Sequence, residues 1–192
     1  MARHSLALIL AIAAVLLMAA ALFTVVFAPS FDSEFGEMAR IWMDRGVKEE
    51  KLHLAIDELK EMPESTLHEI KGELALFKAS ARSDSAVHLA TVYDSLIDYV
   101  LREKKLASLQ SALSSAAGSA CDKLSLYSQL VQESELLLDS TNDYVANASD
   151  FYRIHPTKAE KIALFSSETV SKEELEIEKL KYYLAALEEV CK

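Results

Sequence analysis

The sequence predicts an all-α protein in two parts: an N-terminal transmembrane helix within residues 1–31, and an extracytoplasmic bundle of five or six helices over 32–192. Three observations lead there. Ser5 to Ala28 runs without a charged side chain and ends at Pro29. The whole chain holds only four Gly and three Pro, with Ala, Leu, Glu, Lys and Ser abundant. Apolar residues recur at helical spacing, while the strict alternation of a half-buried strand is hard to find.

The first element is the apolar run. As a helix it spans roughly 36 Å against a hydrocarbon core of about 30 Å, so it crosses with some tilt. A secretory signal core is shorter, about 7–15 apolar residues, which favours a retained anchor over a cleaved signal. Ala19-Ala20-Ala21 and Val26-Phe27-Ala28 are the places where small residues would suit cleavage. Arg3 precedes the run, whereas Asp32, Glu34 and Glu37 follow it with no Lys or Arg before Arg40. That asymmetry holds the N-terminus in the cytoplasm and exports the remainder, a single-pass arrangement in the cell membrane.

Residues 32–45 carry Phe35, Met38, Ile41 and Trp42 on one side, and Gly46 interrupts. A helix from Val47 to Met62 follows, with Leu52, Ile56 and Leu59 in line. Pro63 suits the start of the next, whose stripe is Leu67, Ile70, Leu74 and Phe77. Ser83 or Asp84 caps a longer helix running to about Leu113, with Leu89, Val92, Tyr93, Leu96, Ile97 and Val100 on one face. The segment Ser114 to Ser119, with Gly118 inside it, is the clearest break.

The most regular stretch comes next. Leu124, Val131, Leu138, Val145 and Tyr152 recur at the heptad interval, and Leu130, Leu137, Tyr144 and Phe151 form a parallel row. So wide a stripe suits a helix packed between several neighbours rather than a two-stranded seam. Pro156 ends it. Thr157 with Glu160 has capping-box spacing for a short helix, and Ser171 with Glu174 repeats the signal before the last one. There Ile177, Leu180, Leu184, Leu187 and Cys191 share a face.

Export makes the two cysteines a candidate disulfide. Cys121, one turn before Leu124, joins the stripe of the long helix, and Cys191 ends the stripe of the last. Both therefore face the core. A bond between them would staple the C-terminus to the bundle, provided the Cα atoms lie within about 7 Å.

Other chemistry finds little footing. A di-iron bundle needs two Glu-x-x-His pairs and further inward carboxylates. Glu50-Lys51-Leu52-His53 supplies one pair, flanked by Glu49 and Asp57, and the chain has no second. His68 with Glu64, and His88 with Asp84, have the spacing of ordinary helix-surface pairs. There is no Gly-x-Ser-x-Gly turn and no phosphate-cradling loop. No catalytic residue, metal site or cofactor is expected. Asn147-Ala148-Ser149 matches the N-glycosylation pattern, but its place inside a long helix favours a chance match.

The chain carries 30 acidic against 20 basic side chains, a net charge of −10. Such a surface repels nucleic acid and anionic lipid headgroups. The expected function is a non-catalytic accessory or structural subunit of a membrane complex, with other membrane subunits as partners. Ala7, Ala11, Ala14 and Ala21 would let the span approach other helices closely. A free-standing surface module binding a ligand or protein is the first alternative, and an enzyme with a site assembled from distant residues the second. An exposed apolar stripe favours the subunit, and a deep pocket with convergent polar groups favours the alternatives.

Overall fold

A computed structural model describes residues 55–157 and 167–192, together with most of 34–45. The predicted membrane anchor lies outside the described residues. So do Phe35, Trp42 and Leu52, and the side chain of Ile56. Among the described residues no helix is long and apolar enough to cross a membrane. They are helical with no strand: α1 (Ala55–Glu61), α2 (Glu64–Ser80), α3 (Asp84–Ser115), α4 (Leu124–Ile154) and α5 (Ser167–Val190). Helical backbone also occurs at Glu34, Gly36 to Met38, Arg40 and Ile41.

The stripes read on α2 and α3 are their buried faces, while on α5 Ile177 and Leu187 are buried and Leu180, Leu184 and Cys191 half-buried. Leu67, Ile70, Leu74 and Phe77 are the buried residues of α2, and Leu89, Val92, Tyr93, Leu96, Ile97 and Val100 are all buried on α3. Met38 and Ile41 join the same core, as does Leu59 of α1. Pro63 caps α2 and leaves its missing N–H where no helical bond is needed. On α4 the two parallel rows divide. Leu130, Leu137, Tyr144 and Phe151 are all buried, whereas in the other row Val131 is buried and Leu124, Leu138, Val145 and Tyr152 are only half-buried.

α1 and α2 both run antiparallel to α3, and α3, α4 and α5 then alternate in direction. Lys71 pairs with Asp98, and Lys78 with Asp94 at 2.5 Å, zipping α2 to α3. Lys60 of α1 reaches Glu103 at 2.8 Å. Exposed pairs of this kind are worth about 0–1 kcal/mol each, so they fix register more than stability. Asn147 donates to Ser95 Oγ at 2.7 Å between α4 and α3. Lys181 of α5 bonds Glu135 of α4 at 2.6 Å.

The start of α3 is capped from a distance. Ser83 occupies the N-cap position, yet its hydroxyl meets Ser85 Oγ at 2.7 Å and makes no side-chain cap bond. The carboxylate of Glu34 accepts instead from the backbone N–H of Arg82 at 2.7 Å and of Ser83 at 3.0 Å. Glu34 is buried there, in the positive field of the helix N-terminus. Arg45 adds a second tie, to Glu73 and to the carbonyl of Ile41. Glu34→Ala is expected to cost about 2 kcal/mol, since two partly buried N–H groups at the start of α3 lose a charged acceptor. Urea unfolding measures it, and an unchanged midpoint would remove the cap from the account.

Two expected boundaries move. Ser171 lies inside α5, which is already helical from Ser167, so the Ser171–Glu174 spacing is not a helix start. Serine is only mildly unfavourable in a helix interior, and Lys, Glu and Leu around it carry the helix through. Cys121 is not on the stripe of α4. It sits exposed in the turn before that helix, where Gly118 at a φ of 108° redirects the chain and Asp122 accepts from the N–H of Ser119 at 2.7 Å. Pro156 does end α4, in a 3-10 turn with Thr157, and Glu160 lies outside the described residues.

Candidate functional site

Chemistry-bearing groups and exposed apolar groups gather on the half of the molecule that leaves the core. Beyond Val100 no residue of α3 is buried, and α4 has none before Leu130. The last part of α3, the first part of α4 and most of α5 therefore form a three-helix arm, roughly 22 Å long by helical rise. Its tip is closed by the Cys121–Cys191 bond, with the Cα atoms 5.5 Å apart. Tyr127 and Tyr183 meet edge to face at 5.1 Å near that tip.

Two carboxylates mark the base of the arm, with opposite electrostatics. Glu133 of α4 is buried and receives Arg102 at 2.9 Å and Lys105 at 2.7 Å, both from α3. Burial alone would push its carboxyl up, but the bonds from Lys105 and Arg102 outweigh burial and hold it below the usual range. Glu173 of α5 accepts from Thr141 Oγ1 at 2.8 Å. Burial and the neighbouring charge of Glu103 push its carboxyl up, against that hydrogen bond. Burial, with Glu103 and Glu173 nearby, also raises the Tyr99 phenol.

These shifts give a pH signature. Glu133 contributes stability that is present above the ordinary carboxylate pKa and lost as pH falls through its lowered folded value. Glu173 has the reverse sign, favouring the fold below the ordinary value and losing that contribution as pH rises through its raised one. Glu133→Gln is therefore expected to lower the urea midpoint at pH 7, by a difference that shrinks as pH falls below the ordinary carboxylate value. Glu173→Gln should raise the pH 7 midpoint and match the parent below about pH 4. The same direction of change for both variants at pH 7 would contradict the assignment.

A cleft of about 330 Å³ opens between the arm helices. It is lined by Leu106 and Gln110 of α3, Leu130, Ser134 and Leu137 of α4, and Ile177 and Leu180 of α5 together with Lys172, Glu173 and Glu176. On the far side of α5 an apolar stripe faces outward. Leu175 is 52% exposed, Tyr182 81% and Val190 80%. On a helical wheel Leu175 and Tyr182 lie opposite the buried Ile177, while Val190, three residues after the buried Leu187, lies about 80° round from Tyr182.

The cysteines are the only predicted site residues, and they come together, although Cys121 does so from a turn rather than from the core. His68 and His88 are exposed on α2 and α3; Glu49, Glu50 and His53 lie outside the described residues. Among the described residues no group of three or more His, Cys, Asp or Glu side chains could hold a metal ion. Asn147 does lie inside α4 with its amide engaged by Ser95, so a glycan there would break that bond. Sequence reading missed the Glu133 clamp and the outer stripe of α5. The latter was legible, since Leu175 and Tyr182 stand a heptad apart, away from the Ile177 row. No protein-family model, curated protein or solved structure matches this chain.

Proposed function

We propose that the protein is a non-catalytic accessory or structural subunit of a membrane protein complex, anchored by one helix in residues 5–28 with its acidic helical domain outside the cytoplasm. The observation that carries the reading is the outward apolar stripe of α5. Large apolar side chains at more than half exposure, gathered on one helix, are what a contact surface needs and a solitary domain avoids. The uncharged run before Pro29 and the charge asymmetry around it support the anchor and its direction. The Cys121–Cys191 pairing agrees with an oxidising compartment.

A second reading has one observation in its favour. The cleft is within the size range of small-molecule sites, about 300–1,000 Å³, and its lining combines leucines and Ile177 with a few polar and charged groups. A surface module binding a small apolar ligand would use it.

Mild-detergent extraction of the native protein, followed by size-exclusion chromatography and mass spectrometry, separates the two. The subunit reading expects stoichiometric co-elution with other membrane proteins. Elution alone across several detergents would end it and direct attention to apolar ligands in the cleft.

A further inference from the structure

Resting on the subunit reading, we propose that the outer face of α5 is a docking surface for a basic amphipathic helix of a partner protein. The apolar contact would be made by Leu175 and Tyr182, a heptad apart and so about 10 Å along the helix, with Val190 two turns further on and part-way round it. A facing helix with apolar residues three, four and seven apart would seat along it. Tyr182, the most exposed of the three, is of the type that anchors interfaces, with a large apolar body and a hydroxyl that remains wet.

Charge decides the partner. Glu174, Glu178 and Glu189 are exposed along one edge of the stripe and have no ion-pair partner among the described residues. The lysines nearby are already engaged: Lys179 holds Glu176 at 2.9 Å, and Lys181 holds Glu135 at 2.6 Å. The unmatched charge beside the stripe is therefore negative, and the complementary helix carries Lys or Arg on that flank. A second copy would bring an identical acidic edge on a chain of net charge −10, which opposes self-association. Anionic lipid and nucleic acid are repelled for the same reason. The bond from Cys191, directly after Val190, fixes the end of α5 and so removes part of the ordering cost of docking.

Photo-crosslinking in native membranes tests this, with Tyr182→p-benzoylphenylalanine in the full-length chain and peptide mapping of each adduct. The expected adduct lies on an amphipathic segment of another protein with Lys or Arg beside its apolar stripe. Glu178→Lys with Glu189→Lys should cut its yield about tenfold, and added salt should lower the yield of the parent. Both positions are exposed, and circular dichroism confirms that the variants fold. An adduct to another copy, to a segment without basic flanks, or one indifferent to the charge reversal overturns the proposal. No adduct from an intact co-eluting complex overturns it too, while leaving the subunit reading standing. Loss of co-elution itself removes both.

Discussion

Reduction of the Cys121–Cys191 bond is expected to lower the stability of the folded chain by about 4 kcal/mol. The bond closes a loop with a sequence separation of 70, and constraining a loop of that length removes much entropy from the unfolded chain. Local packing gives little insurance. Ile177 and Leu187 are the buried hydrophobic residues of α5, and the neighbouring half of α3 buries none. When the tie is cut, the last turns of α5 should fray before the core melts, because the core rests on α2, α3 and the far half of α4. Urea unfolding with and without reductant measures the loss, and hydrogen exchange locates it. A variant with both Cys121→Ser and Cys191→Ser should show the reduced-state stability and no response to reductant. A parent chain equally stable in reductant would mean that the bond constrains nothing the packing does not already hold. On the proposed subunit reading, fraying of α5 would also disturb its outward face, so co-elution with a partner should fall with reduction.

Where each helix lies was legible because local pattern and tertiary burial agree. On α2, four apolar residues at helical spacing met no competing row, and all four are buried. Contacts between segments distant in the chain were not legible. Glu34 reads as one of several acids that set membrane orientation, yet it is buried as the cap of a helix that begins some fifty residues later. Nothing in its neighbours announces that, since the signal is the position of α3 in space. Ser83 illustrates the converse: its local cap chemistry is right and its hydroxyl is used elsewhere. Glu133 sits within a plain amphipathic run, and only the antiparallel pairing of α3 with α4 places Arg102 and Lys105 beside it. Cys121 shows the limit of extending a periodic stripe beyond its helix. The three-residue spacing to Leu124 is meaningful only on continuous helix, and the chain turns in between.

The parallel rows of α4 set the sharpest test of the packing. Periodicity alone cannot rank Leu130, Leu137, Tyr144 and Phe151 against the row one residue further on, because both lie within one wide apolar face. The structure ranks them, with Phe151 at 1% exposure and Leu137 at 7%, both in the core with Leu89, Ile97 and Tyr93. Phe151→Ala is expected to cost about 4 kcal/mol, the transfer free energy of the ring plus the cavity it leaves. Leu137→Ala should cost about 3 kcal/mol, while Leu138→Ala, half-buried and one position along, should cost about 1 kcal/mol. The neighbouring leucines make the comparison clean: the residue type, the helix and the helix propensity are the same, so only burial differs. Urea midpoints at constant slope measure all three. Equal losses at Leu137 and Leu138 would mean that α4 is rotated about its axis relative to α3. That rotation would also displace Glu133 from Arg102 and Thr141 from Glu173, so the pH behaviour of those carboxylates should then disappear in the same protein.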